Sequence, residues 1–147
     1  MANSMLATTP PRLSHPLLIA SAATLLIATF VTDLLYWRTL LPQWETFSIW
    51  SLTGGLILAG LSGLALLVDV KLQRLRAIDW RRFAALTVAA LLSLLNAFIH
   101  SRDSYTAVVP EGLWLSTIVT VLLLVIGWRG WSLAAAQPST VSLQGGR

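Results

Sequence analysis

Apolar residues fill four long stretches of this chain, Leu17–Trp37, Phe47–Val68, Phe83–Ile99 and Leu113–Trp128, and the charged residues fall almost wholly between them. At about 1.5 Å of rise per residue, each stretch wound as a helix reaches, or nearly reaches, across a hydrocarbon layer of roughly 30 Å. The pattern predicts four membrane spans, at about 17–37, 47–68, 83–99 and 112–131. All seven tryptophans lie toward the ends of these stretches, Trp37, Trp44, Trp50 and Trp114 on one side and Trp80, Trp128 and Trp131 on the other. An indole favours the headgroup level because its ring is apolar while its N–H needs a polar partner.

The breaks between spans are readable. Residues 1–13, with Pro10 and Pro11, form a mixed stretch expected to be a mobile lead-in. Ser14, His15 and Pro16 then open the first helix, since Ser14 caps free N–H groups and a first-turn proline forfeits no hydrogen bond. A cleaved signal peptide is the rival reading. The run is too long for one, and no small-residue cleavage site follows it before Asp33, so retention is expected. Leu40-Leu41-Pro42-Gln43 reads as a break, with the second span starting at Thr46 or Ser48. Leu72, Leu75 and Ile78 recur at helical spacing in the next connector, part of which is expected to lie flat on the membrane surface. Pro110-Glu111-Gly112 reads as the start of the fourth helix. The membrane domain is placed at residues 14–134, and residues 135–147 lack the apolar content to fold alone.

Composition agrees: 56% of residues are hydrophobic, 11% are charged and mean hydropathy is +0.74, where a soluble domain carries roughly 25% charged residues. The net charge of +4 does not point to nucleic acid, because five of the ten basic residues (Lys71, Arg74, Arg76, Arg81, Arg82) share one connector between spans. If the spans alternate, Arg12, Arg129 and Arg147 join them on one side, leaving only Arg38 and Arg102 on the other. Positive residues stay inside, so both termini are expected to be cytoplasmic. The expectation is an all-α integral membrane four-helix antiparallel bundle in the cell membrane, the inner membrane of a bacterium. The chain has no cysteine, which removes disulfides, iron–sulfur clusters, covalently attached haem and thiol catalysis.

Helices in lipid associate through close packing of small residues. Rows at every fourth position occur in the second span (Ser51, Gly55, Ala59, Gly63) and the third (Ala85, Ala89, Ser93, Ala97), the best-matched pair. The first span carries Ala20, Thr24, Ala28 and Thr32, and the fourth Gly112, Ser116 and Thr120. These rows are expected to face one another inside the bundle, with Gly55 and Gly63 both at a contact.

Polar candidates are few. Ser93, Asn96 and His100 share one face of the third helix, and Asp33 lies about one turn inside the far end of the first. Arg102, Asp103 and Tyr105 follow His100 directly, and Arg38 and Glu111 come from the same side. Ionisable groups at membrane depth are costly unless paired. The plain reading of this cluster is a staple, Asp33 with Arg102 or His100, holding helix ends in register. His15 and His100 invite pairing as haem b ligands, but they fall at opposite ends of spans, about a bilayer apart. Two distant histidines make no zinc site, and no metal site or catalytic residue is assigned. Gly54-Gly55 and Gly60-x-x-Gly63 lie inside an apolar helix without the strand and lysine of a phosphate loop.

At these residues the chain resembles the membrane family named domain of unknown function 2231. The resemblance rests on His15-Pro16, Asp33, the glycine-rich second span closing on Asp69, the stretch Asn96-Ala97-Phe98-Ile99-His100-Ser101-Arg102-Asp103, and Val109-Pro110-x-Gly112. It covers Ser14 to about Trp131. Many members place a second histidine five residues after the first, ahead of Phe-Pro; this chain has Ala20, Ser21 and Ala22 there. The resemblance implies a four-helix membrane protein with no established activity, and association of some members with soluble quinoprotein-type dehydrogenases.

Three functional readings follow. The first is a non-catalytic accessory or anchoring subunit, with no cofactor, presenting the outer His100–Arg102–Asp103 loop to a membrane or periplasmic protein. The second is a redox component handling haem or quinone through His100, Asp33 and Tyr105 beside a partner dehydrogenase. The third is a transporter or channel, which four helices lacking central charges would form only as a homo-oligomer, with Ser93 and Asn96 lining the path.

Overall fold

A computed structural model describes residues 14–72, 78–101, 108–128, 130, 131 and 133. It is all-α: α1 (Ser14–Thr39), α2 (Pro42–Lys71), α3 (Trp80–His100) and α4 (Leu113–Gly127), with an irregular segment Val108–Gly112 leading into α4. In that segment Val109 is extended and the Val109–Pro110 peptide is cis. Four helical stretches, Pro16–Thr39, Pro42–Lys71, Trp80–His100 and Val109–Gly127, the last including the irregular segment, are long and apolar enough to cross a membrane, with mean hydropathies of 2.0, 1.9, 1.9 and 2.0. The end of α1 meets the start of α2 and the end of α3 through Asp33, Ser48 and His100. Asp79, just before α3, donates its backbone N–H to Leu133, beyond α4. The helices therefore alternate in direction, leaving the α1–α2 and α3–α4 connections at one end and the α2–α3 connection at the other.

The α1–α2 turn is tighter than the sequence suggests. Leu40 takes a left-handed φ of 53° and Leu41 is extended, so α2 begins at Pro42 rather than Thr46 or Ser48. A proline at the first helical position gives up an N–H that would have no partner there anyway. Instead of breaking the helix it starts one, and the extra turn carries Trp44 and Glu45. At the other end of the bundle, Asp79 caps α3 by accepting from the N–H groups of Arg81 and Arg82 at 3.2 and 3.3 Å.

The buried faces follow alternating steps of three and four, the spacing that keeps a helical stripe on one side. On α1 the stripe is Ile19, Ala22, Ala23, Leu26, Thr29, Asp33 and Tyr36; on α2 it is Glu45, Ser48, Leu52, Gly55, Ser62, Leu66 and Asp69. This corrects the expected small-residue rows on α1 and α2. Steps of four advance by about 40° more than one turn, so a row of four residues precesses by about 120°. Gly55 sits at the contact: a Cβ there would stand 2.7 Å from Leu26 Cδ2 and 3.3 Å from the Ala22 carbonyl oxygen. Gly63, on the same row, is exposed, with open space where a Cβ would stand. On α1, Thr24 is exposed and the contact uses Ala22, Ala23 and Leu26 instead. In α3, Ala89 and Ser93 are buried while Ala85 and Ala97 are half-buried. The most extensive contact is α1 with α2, not α2 with α3.

Trp131 departs from the expected aromatic belt. Five tryptophans (Trp37, Trp50, Trp80, Trp114 and Trp128) are exposed on the outside of the bundle. Trp131 is half-buried and folds its ring over Gly127, packing against the core formed by Ala23, Leu26, Leu52, Ala89, Val119 and Leu123. Overpacking a filled contact costs about 1–3 kcal/mol or more. Gly55→Leu is therefore expected to lower stability in mixed-micelle unfolding by at least that much, and Gly63→Leu to leave it within about 0.5 kcal/mol. Equal losses for the two would contradict this packing.

Candidate functional site

The polar side chains of the spans gather at the end of the bundle that holds the α1–α2 connection. Most span hydroxyls bond within their own helix: Thr29 donates to the Leu25 carbonyl at 3.1 Å, Ser62 to Leu58 at 2.8 Å and Ser93 to Ala89 at 2.8 Å. In hydrocarbon this is the nearest available acceptor. Ser48 behaves differently. It reaches across from α2 and donates to Asp33 Oδ1 on α1.

His100, on the last turn of α3, closes the cluster. Its Nε2 lies 3.3 Å from Asp33 Oδ1 and 3.5 Å from Ser48 Oγ, and its Nδ1 lies 3.0 Å from the Asn96 carbonyl oxygen. A carbonyl only accepts, so Nδ1 carries a hydrogen. The Ser48 hydroxyl hydrogen is committed to Asp33, so a further proton lying between Nε2 and Oδ1 joins the pair. Asp33 and Ser48 are 0% exposed, Asn96 is 1% and His100 is 6%. Glu45, 6% exposed and one turn before Ser48, stands within electrostatic reach of His100. Asp33 Oδ2, Asn96 Oδ1 and the Thr120 hydroxyl are buried without a partner among the described residues.

Serine, histidine and aspartate together suggest a hydrolytic triad, but the connectivity is wrong for one. A triad needs the imidazole between the other two, taking the serine proton on one nitrogen while the acid holds the other. Here Ser48 donates to the acid itself, the acid meets Nε2, and Nδ1 faces a backbone carbonyl. The serine is not activated. The arrangement is a knot tying α1, α2 and α3 together through Asp33 Oδ1, the Ser48 hydroxyl and the His100 ring.

Of the residues singled out from the sequence, Asp33, Asn96 and His100 come together here. Arg102, Asp103 and Tyr105 lie outside the described residues. His15 opens α1, eighteen residues before Asp33, which is about 27 Å along the helix axis. The two histidines therefore stand at opposite ends of the bundle. Among the described residues no cluster of histidine and acidic side chains could hold a metal ion. Sequence reasoning missed Ser48 and Glu45 as members. The signal was present, since Glu45 and Ser48 continue the three-and-four stripe of Leu52 and Gly55, but it was hidden by reading Pro42 as a break.

The family described as "Predicted membrane protein (DUF2231)" has a model that matches residues 13–142. No curated protein and no solved structure matches the chain.

The knot makes a distinctive energetic signature. Removing one partner of a buried pair strands the other and costs about 3–5 kcal/mol, whereas replacing both with apolar groups is often neutral or stabilising. His100→Leu alone is expected to destabilise strongly in mixed-micelle unfolding, and Asp33→Leu/His100→Leu to recover most of that loss. Additive losses would show that the two side chains do not depend on each other.

Proposed function

The chain belongs to the DUF2231 family of predicted membrane proteins, and from that premise we propose a non-catalytic role, an accessory or anchoring subunit that presents its α3–α4 connection to a protein partner. One observation carries this reading. The place where chemistry-bearing side chains converge among the described residues is closed to solvent, and Ser48, Asp33 Oδ1 and both ring nitrogens of His100 are engaged with one another or with the Asn96 carbonyl. Such a knot performs no turnover as it stands, but it does fix the residue from which the α3–α4 connection departs. Ser101 immediately follows His100, so the Asp33–Ser48–His100 contact sets the position at which that polar stretch leaves α3.

The eight-to-two split of basic residues supports an orientation with both termini and the α2–α3 connector in the cytoplasm. The α3–α4 connection then faces outward, available to a periplasmic or membrane partner. A redox role would require His100 to release Asp33 or Asn96 before it could hold iron or pass a proton to a quinone. A channel built from several copies would require Ser93 and Asn96, both buried, to turn toward a shared path.

Purification of the intact complex from native membranes in mild detergent tests the proposal. Wild-type protein is expected to be colourless between 400 and 600 nm and to retain its partner, and Arg102→Ala/Asp103→Ala to stay folded and lose it. A haem Soret band would overturn the reading, as would equal partner recovery by the loop variant.

A further inference from the structure

At the end opposite the polar knot, the bundle contains a cavity of ≈ 130 Å³. A cavity of roughly 150 Å³ with apolar walls stays dry and takes up a molecule the size of benzene, so this one is of a size to hold a short length of hydrocarbon. Its floor includes Ala22 of α1, and its sides are Ala59, Gly63 and Leu66 of α2 facing Thr87 and Ala90 of α3. Gly63 and Thr87 are both exposed, so the cavity opens between α2 and α3 toward the surface that meets lipid. The polar groups in its wall have no hydrogen left to donate to a ligand, since Ser62 and Thr87 give theirs to carbonyls of their own helices at 2.8 and 2.9 Å.

The helix ends that border this cleft carry two exposed cations, alongside the buried carboxylate Asp69 and the cap Asp79. Lys71 is the last residue of α2 and Arg81 the second of α3, and both are exposed. Arg82 is already engaged with Asp79 at 3.2 Å and with the Gly130 carbonyl at 3.4 Å. From Lys71 to Ala59 is about 18 Å along α2, and from Arg81 to Ala90 about 14 Å along α3, close to the roughly 15 Å depth of one leaflet. Trp80, exposed and edge-on to Phe83, marks the headgroup level at the same end.

We infer that this cleft is a binding site for an anionic glycerophospholipid, with one acyl chain seated between α2 and α3 and the phosphate held by Lys71 and Arg81. Hydrocarbon must line an open gap in a membrane bundle, because atoms facing a void lose their dispersion partners. Charge at the mouth then selects among lipids, since basic groups between helix ends favour anionic headgroups. A zwitterionic lipid with the same chains gains the packing and not the charge contact.

Native mass spectrometry of the full chain released from micelles, with dioleoyl phosphatidylglycerol or dioleoyl phosphatidylcholine added, reads this directly. A 1:1 phosphatidylglycerol adduct is expected, retained about tenfold or more over phosphatidylcholine. Gly63→Leu fills the cleft and is expected to abolish the adduct while its lipid-free melting temperature stays that of the wild type. If that variant melts lower, Thr87→Leu on the facing helix decides the same point. Lys71→Gln/Arg81→Gln is expected to remove the preference for phosphatidylglycerol. Equal retention of the two lipids, adducts that survive the cleft-filling variant, or a protein dimer in place of the adduct would each overturn the site.

Discussion

A bilayer core offers no hydrogen-bond partners, so a polar group carried into it is costly unless it finds one in the protein. Most features of this chain follow from that constraint. Threonines and serines along the spans turn back on their own helices. The groups that cannot be satisfied so locally, a carboxylate and an imidazole, are drawn to each other across α1 and α3, with Ser48 of α2 completing the contact. The result is a bundle with two unlike ends. One holds Asp33, Glu45, Ser48, Asn96 and His100, all buried. The other holds an apolar core of Ile19, Leu66 and Leu133 beside an open cleft, with Asp69 buried nearby and Lys71 and Arg81 exposed at the helix ends.

These ends do different physical work. Buried ionic pairs add little net stability compared with apolar packing, but they penalise any arrangement that separates them. At the polar end, a register slip of α1, α2 or α3 would strand Asp33 or His100, so the knot selects one alignment of helix ends. At the basic end α2 and α3 touch little. Their alignment there is left to side-chain packing, to the return of Leu133 onto Asp79, and to whatever hydrocarbon fills the gap.

The fold was largely legible because hydropathy is a strong, local signal. Four apolar runs bounded by tryptophan and charge leave few alternatives, and four span-length helices are what the structure contains. Finer features were less legible, for reasons that can be named. Pro42 reads as a break, yet at the first position of a helix it costs nothing, so the turn of α2 carrying Glu45 was lost from view. The glycine row was counted in fours, whereas a contact face drifts off any fixed four-residue count, which is why Gly55 touches α1 and Gly63 does not. Trp131 shares its neighbours' composition but turns inward over Gly127, a contact invisible to residue type. The pairing of Asp33 with His100 was one of two readings open in the sequence, since Arg102 was an equal candidate. That Ser48 joins them depends on the depth at which α2 starts, which only the turn geometry at Leu40 reveals.

The central claim is the separation of the polar knot and the basic connector to opposite faces of a membrane. The chain contains no cysteine, so single cysteines placed at the exposed positions Lys71 and Ser101 report on this without background. In intact cells, a membrane-impermeant thiol reagent is expected to modify Ser101→Cys and to reach Lys71→Cys only after the membrane is opened. Modification of both from the same side would contradict the four-span alternation on which the knot, the cleft and the proposed role all rest.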